Sequence, residues 1–315
     1  MSNTLYTPDQ VAKVAVAMAV EDSFLGALVN RNFENDLLGG GGKGRAVNVK
    51  IPAALIARSR GIDETTAAIV LDSLTEATET ITLGEHLYSA VGLSEGDMNL
   101  DLSDFSKQVL APQVEAVVDA VEEEVADALN AIPETEEIAW SEANPVATFT
   151  AIRKALRQRG VPQANLNVVV GTNVYAALLD AKAITDASES GSTEALREGN
   201  VGKLRGFTIV ESTRVDDDDI VAFHRDAFTL AVRAPQVPAG QFGQTVSQGG
   251  YSLRYLRDYE TAHTLHRSMV STFAGVAAMP LYKVERDRSA VTARVVEVEG
   301  GAAMRVDTKT APAGN

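Results

Sequence analysis

The chain contains no cysteine, which removes disulfides, thiolate metal sites and cysteine nucleophiles from consideration at once. Cations are also scarce: 28 Lys and Arg stand against 43 Asp and Glu, leaving a net charge of −15. Phosphate contact needs clustered Lys and Arg, so direct nucleic-acid binding does not fit. A strongly acidic protein can still lie beside nucleic acid without adhering to it. No apolar run approaches the roughly 18 uninterrupted residues of a membrane-spanning helix. Met1 to Asp9 is polar and lacks the basic-then-apolar order of a secretory signal, so the expectation is maturation in the cytosol and no membrane partner. What the chain does have is 315 residues at 45% hydrophobic content, enough for one large or two modest domains with real cores.

The best-organised stretch is Ser103 to Ile132. Its spacing predicts one long helix of roughly 45 Å at 1.5 Å per residue, capped by Ser103 or Asp104. Leu110, Val114, Val117, Val121, Val125, Ala128 and Ile132 share one face, and Glu115, Asp119, Glu122, Glu123 and Asp127 take the opposite one. Pro112 marks either a kink or the effective start. Pro8 to Arg31 is a second helical pattern, with Val11, Val14, Met18, Leu25 and Leu28 on one side and Thr7 or Asp9 as cap. Arg45 to Ile56 and Glu76 to Leu93 alternate as strands around a polar connection, Ala57 to Leu74. Such a two-stranded excursion buries little and is expected to pack on something outside its own domain.

After an acidic linker, Pro133 to Asn144, the pattern becomes α/β. Pro145 to Arg159 reads as a helix stopped by Gly160-Val161-Pro162, and Leu166 to Val170 as a strand covered on both faces. Thr172 to Leu179 is a short helix, Ala187 to Thr193 a loop, and Phe207 to Val210 and Ile220 to Phe223 are strands around Asp216-Asp217-Asp218-Asp219. Tyr251 to Tyr259 and His266 to Ala274 read as longer strands, the second closed by Gly275. Glu285 to Val306 predicts a hairpin turning at Gly300-Gly301, and Thr308 to Asn315 a frayed end.

Candidate chemistry is thin. Gly39, Gly41 and Gly44 satisfy the G-x-G-x-x-G spacing, but they follow a helix and open a strand, the reverse of a dinucleotide fingerprint. A Walker reading fails at Leu37 and Gly44, so this run reads as a flexible hinge. His263 and His266 lie three apart in a strand or strand turn, which points them to opposite faces. Four consecutive aspartates cannot all converge on one calcium, so Asp216 to Asp219 reads as a solvated turn. Glu122 to Glu124 diverge around their helix, and no G-x-S-x-G nucleophile elbow occurs. The expectation is no catalytic, cofactor-binding or metal-binding residue, no cofactor, and no enzyme.

The order of these elements resembles the major capsid proteins of tailed bacteriophages, the HK97-type fold. Asn48 to Arg58, NVKIPAALIAR, followed by EATETITLGEHLYSAVGLS, is similar to the family's extended E-loop, and Phe105 to Ile132 to its spine helix. Val168-Val169-Val170-Gly171 with Tyr175, Leu178 and Leu179 resembles the axial-domain strand and helix. Gly202-Lys203-Leu204-Arg205-Gly206-Phe207 with Glu211-Ser212, and Ala222 to Arg233 as a strand pair, resemble the same lobe. The opening NTLYTPDQVAKVAVAMAVEDSFLGALV is similar to the branch typified by the P22 coat protein, although this chain is too short for that branch's inserted domain.

The resemblance implies an α+β HK97-like capsid fold. Residues 1–44 would form an N-terminal arm and glycine hinge, 45–93 the E-loop, and 94–144 with 241–284 a peripheral domain. Residues 145–240 would form the axial domain, and 285–315 a C-terminal hairpin and tail. It implies self-assembly into pentamers and hexamers of an icosahedral phage head around double-stranded DNA, in the virion, after assembly in the host cytoplasm. Scaffolding protein, portal and a decoration protein are the implied partners, the scaffold as a separate protein. Two alternatives stay open: an encapsulin-type shell enclosing cargo enzymes, and an α/β ligand-binding or hydrolytic domain at 145–240.

Overall fold

The computed structural model describes residues 11–16, 24–31, 46–51, 55, 57–59, 61–63, 65, 66, 68, 69, 71, 77–95, 105–135, 138–141, 144–180, 202–248, 251–261, 263–287 and 292–309. In chain order these form α1 (11–16), a 3-10 turn (Leu25–Ala27), β1 (Ala46–Ile51), β2 (Ala77–Thr82) and β3 (Glu85–Ser94). A π-helical turn (Ser106–Leu110) then leads into α2 (Ala111–Asn130), followed by α3 (Pro145–Arg159), β4 (Leu166–Val170) and α4 (Thr172–Asp180). The remainder is strands: β5 (Lys203–Leu204), β6 (Phe207–Glu211), β7 (Asp219–His224), β8 (Phe228–Arg233), β9 (Phe242–Gln248), β10 (Tyr251–Glu260), β11 (Leu265–Ala278), β12 (Leu281–Asp287), β13 (Thr292–Val298) and β14 (Ala303–Asp307). The proposed caps Thr7, Asp9, Ser103 and Asp104, the Gly39–Gly44 run, the 187–193 loop and residues 310–315 lie outside the described residues. Two compact units emerge: Met1–Val47 with Ile81–Ala131 and Phe228–Ala277, and Asn48–Thr80 with Ile132–Ala227 and Ala278–Asn315.

In the first unit, β3, β11, β10 and β9 lie side by side, and β8 also pairs with β11. The β3–β11 and β10–β11 pairs are antiparallel, with Ala90 opposite Met269 and Tyr255 opposite Val270. Buried positions of helix α2 recur in adjacent pairs every four residues, from Gln113 and Val114 to Val125 and Ala126, and the buried apolar residues are Val114, Val117, Val118, Val121, Val125, Ala126 and Leu129. Each buried Val or Leu contributes on the order of 1.5–3 kcal/mol. This stripe is wider than the predicted single row, so Ala128 and Ile132 are only half-buried. Gln113 begins the contact. Its amide donates to the carbonyls of Ser89 (3.1 Å) and Ser268 (2.9 Å), and its oxygen accepts from the Ser268 hydroxyl (2.8 Å). Pro112 occupies the first turn of α2, where its missing N–H has no intrahelical role.

Glu122 departs from the expectation of an acidic outer face. It is 3% exposed, and its carboxylate accepts from the backbone N–H groups of Leu25 and Gly26 (3.0 Å to Gly26) and from the Tyr251 hydroxyl (3.3 Å). A side chain on Gly26 would meet Glu122 Oε1 and the Tyr251 hydroxyl at 3.0 Å, so glycine is what lets the backbone come this close. The predicted helix over Pro8 to Arg31 does not run through: residues 25–27 form a 3-10 turn, and Asn30 bridges to Thr229. The carboxylate captures N–H groups that a continuous helix would have bonded to itself.

In the second unit the strand order is β14-β7-β4-β6-β5. Strand β4 is central and buried throughout, parallel to β6 and antiparallel to β7. Asn144 caps α3 by accepting the Ala147 N–H, and Gly160 ends it at φ +96°. Gly171 then turns the chain against the 216–219 segment, donating its N–H to the Asp219 carbonyl at 3.0 Å.

Several strand assignments are corrected. Glu76 to Leu93 is two strands: β2 pairs with β1, while β3 joins the large sheet. Glu285 to Val306 is not a hairpin turning at Gly300-Gly301, because β13 pairs back onto β12 and β14 pairs with β7. Strands β7 and β8, read as a pair, enter different sheets. Gly275 does not end its strand; β11 runs on to Ala278, and the missing side chain admits the Thr82 carbonyl. Nor are Thr308 and Lys309 frayed, since Thr308 donates to the Asp218 carbonyl at 3.0 Å and Lys309 pairs with Asp218.

Two substitutions test these accounts. Glu122→Ala leaves two buried N–H groups without an acceptor, so urea denaturation should show a loss of about 2–4 kcal/mol. Gly171→Ala drives a Cβ into the Asp216 and Asp217 backbone, which cannot give way as a side chain would. It should cost about 3 kcal/mol or more in the same assay.

Candidate assembly surfaces

The ribbon of β1 and β2 carries a connection in which large aliphatic side chains face water. Leu55 is 48% exposed, Ile69 75%, Leu71 87% and Ile62 fully so. Burying four such side chains is worth on the order of 1.5–3 kcal/mol each, and this gain is left unused in the single chain.

The opposite extreme is the aspartate turn, which is tied down and not merely solvated. Asp219 is 2% exposed and accepts from Arg305 Nε at 2.6 Å, while the same guanidinium reaches Asp216 (3.4 Å) and Glu134 (3.5 Å). Burial pushes the Asp219 carboxyl above the usual range, and the Arg305 bond pulls against that shift. Asp217 accepts from the Thr172 hydroxyl (2.7 Å), and Asp218 accepts from the Asn173 amide (3.0 Å) as well as pairing with Lys309. The Lys309 and Asn173 bonds hold Asp218 below the usual carboxylate range. Asp216 and Asp219 thus share Arg305, while Asp217 and Asp218 are turned to other neighbours. Among the described residues, no three His, Asp or Glu side chains gather in a metal-binding arrangement.

The histidines are dispersed. His224 is buried, and its Nδ1 accepts the Asp226 N–H at 3.2 Å. His263 bonds Glu260 at 2.8 Å in the β10–β11 turn, while His266 packs on the Tyr259 ring at 4.8 Å. His86 sits against Phe273 and Tyr88, where burial and then the Arg254 charge hold its pKa below the ordinary value. It lines an open cleft of about 330 Å³ together with Glu85, Arg233, Gln236 and Phe273.

The polar residues that organise the molecule are therefore Gln113, Glu122, Asp219 and Arg305, none of them singled out as a site in the sequence. A signal for Glu122 existed: it falls four residues after Val118 and three before Val125, inside the buried arc. On the exposed side of α2, burial first, then Glu85 and Asp127, raise the pKa of Glu124. A carboxyl raised in the folded state stabilises the fold below its ordinary pKa, and that contribution is lost as pH rises through the raised value. Glu124→Gln should therefore raise the melting temperature at pH 8, and the difference from the parent should vanish toward pH 4.

The sequence pattern of the family described as phage capsid protein matches residues 89–271, more than half of the chain. No curated relative matches. Among solved structures, the fold is similar to one from Mycobacterium phage Che8 (18% identity, 91% of this chain and 92% of that one, TM-score 0.60). It is also similar to the capsid of cyanophage P-SCSP1u (13% identity, 84% of each chain, TM-score 0.54) and to that of Ralstonia phage GP4 (11% identity, 86% of each chain, TM-score 0.54). At these identities the structural likeness speaks for the fold, and the HK97-like α+β architecture is the one observed. The sequence match supplies the function: the chain belongs to the phage capsid protein family and is a major capsid protein of a phage head.

Proposed function

We propose that this subunit assembles with copies of itself into the pentamers and hexamers of an icosahedral shell around double-stranded DNA, without catalysing any reaction. The exposed aliphatic residues of the 55–71 segment carry this reading, because they gain burial only against another molecule. In it, the β1–β2 ribbon is the extended E-loop and lies over a neighbouring subunit. The unit built on α2 takes the peripheral role and the unit built on β4 the axial one. A net charge of −15 suits a wall that repels packaged DNA and lets it slide during filling. A separate scaffolding protein, a portal and host-cytoplasmic assembly complete the reading. The match to a phage capsid family favours a phage head over a cargo-enclosing shell.

Electron microscopy of the chain co-expressed with its scaffolding protein should show closed shells, and a strict monomer under every condition would sink the proposal. Deleting Ala57 to Leu74 should leave a soluble subunit with an unchanged melting temperature that no longer forms mature shells. A collapse of subunit stability would instead place the segment in the core.

A further inference from the structure

Helix α3 carries Arg153, Lys154, Arg157 and Arg159 and no carboxylate, an unusual run in a chain with 43 acidic residues. Its buried face is Val146, Phe149, Ile152 and Leu156, which leaves Lys154 and Arg157 exposed and Arg153 half-exposed. All three guanidiniums are held by backbone carbonyls, Arg153 on Arg205, Arg157 on Val161, and Arg159 on Gly300 (3.2 Å) and Ala303 (3.1 Å). Carbonyls fix the geometry without cancelling the charge. The Arg153 contact also sets the exposed Lys203 and Arg205 beside the helix, so the positive charge forms a patch.

Helix α2 presents the complement. Glu115, Asp119, Glu123 and Asp127 are exposed and spaced four apart, so like charges neighbour each other along one row. Each such pair opposes the helix by about 0.2–0.5 kcal/mol. Burial first, and then crowding by Glu85 and Asp127, shifts the adjacent Glu124 upward, which agrees with a concentration of negative charge along this row.

We propose that the basic face of α3 in one subunit docks on the acidic face of α2 in a neighbouring copy. The proposal rests on the shell-forming reading above and names the contact that sets the register between subunits. Charge complementarity across a contact acts mainly on specificity and association rate, and like-charge juxtaposition is strongly penalised. The same patch would attract DNA phosphates, but the surrounding net charge of −15 favours a carboxylate partner.

Charge reversal tests this in both directions. K154E with R157E, and separately E115K with D119K, should each cut the fraction of protein in shells by about tenfold or more. The chain carrying all four changes should recover most of it. Circular dichroism and the melting temperature of the subunit establish folding. Because the chain has no cysteine, K154C subunits and D119C subunits can also be co-assembled and treated with a short bis-maleimide. A covalent dimer should form in mixed shells and not in shells of either variant alone. Normal assembly by the reversed variants, loss without rescue in the combined chain, or mixed shells that give no dimer overturns the docking. Normal shells that fail only to retain DNA would assign the basic face to the genome instead. Failure of the parent chain to form shells at all would overturn the shell reading itself, and the docking with it.

Discussion

A buried carboxylate holds the α2 unit together. Glu122 gathers the N–H groups of Leu25 and Gly26 and the Tyr251 hydroxyl, and so ties the N-terminal segment, the long helix and strand β10 at one point. Removing a carboxylate from water is expensive, and hydrogen bonds to its charged form are what make that burial tolerable. Its neighbours conform to it. A side chain at Gly26 would crowd the Glu122 carboxylate and the Tyr251 hydroxyl, and the Arg31 guanidinium lies 4.3 Å over the Tyr251 ring. Gln113 repeats the device two and a half turns earlier, with a fully bonded amide between β3 and β11. Apolar burial makes α2 adhere to the sheet, and these two polar anchors fix where along the sheet it sits.

The second unit uses a different device. Its central strand is apolar on both faces, and its margin is organised by one cation, Arg305, meeting Asp219, Asp216 and Glu134. That margin joins β14 to the turn before β7 and to the linker after α2. A shell subunit has to keep its shape while its surfaces are loaded by neighbours, and closed polar networks are suited to that. The exposed surfaces differ in character: aliphatic on the 55–71 segment, acidic along α2, basic along α3.

Much of this was legible in the residues. The three-and-four spacing of Leu110, Val114, Val117, Val121 and Val125 marked α2, the run Leu166 to Val170 marked a strand covered on both faces, and Asn144 with Gly160 bounded α3 correctly. The polar connection between two alternating segments already implied an arm with little to bury. Strand partnership was the main failure. Glu85–Ser94, Thr292–Val298 and Ala303–Asp307 each looked like half of a local hairpin, and two of the three joined strands distant in sequence. The aspartate turn was read as solvated because four adjacent carboxylates look alike until Arg305, Thr172, Asn173 and Lys309 are placed around them.

The α+β class came from the family resemblance; composition and periodicity by themselves determined that the chain is acidic, without thiol chemistry, mixed in helix and strand, and built around one long helix. These follow from counting and from the repeat of side chains along a helix or strand, which need no knowledge of distant residues. Tertiary structure alone decided that Glu122 is an anchor and not part of the acidic face, and which sheet each late strand enters. The partners of Glu122 stand 97, 96 and 129 residues away. A local pattern reports which residues share a face; what that face meets is set only when the chain closes on itself.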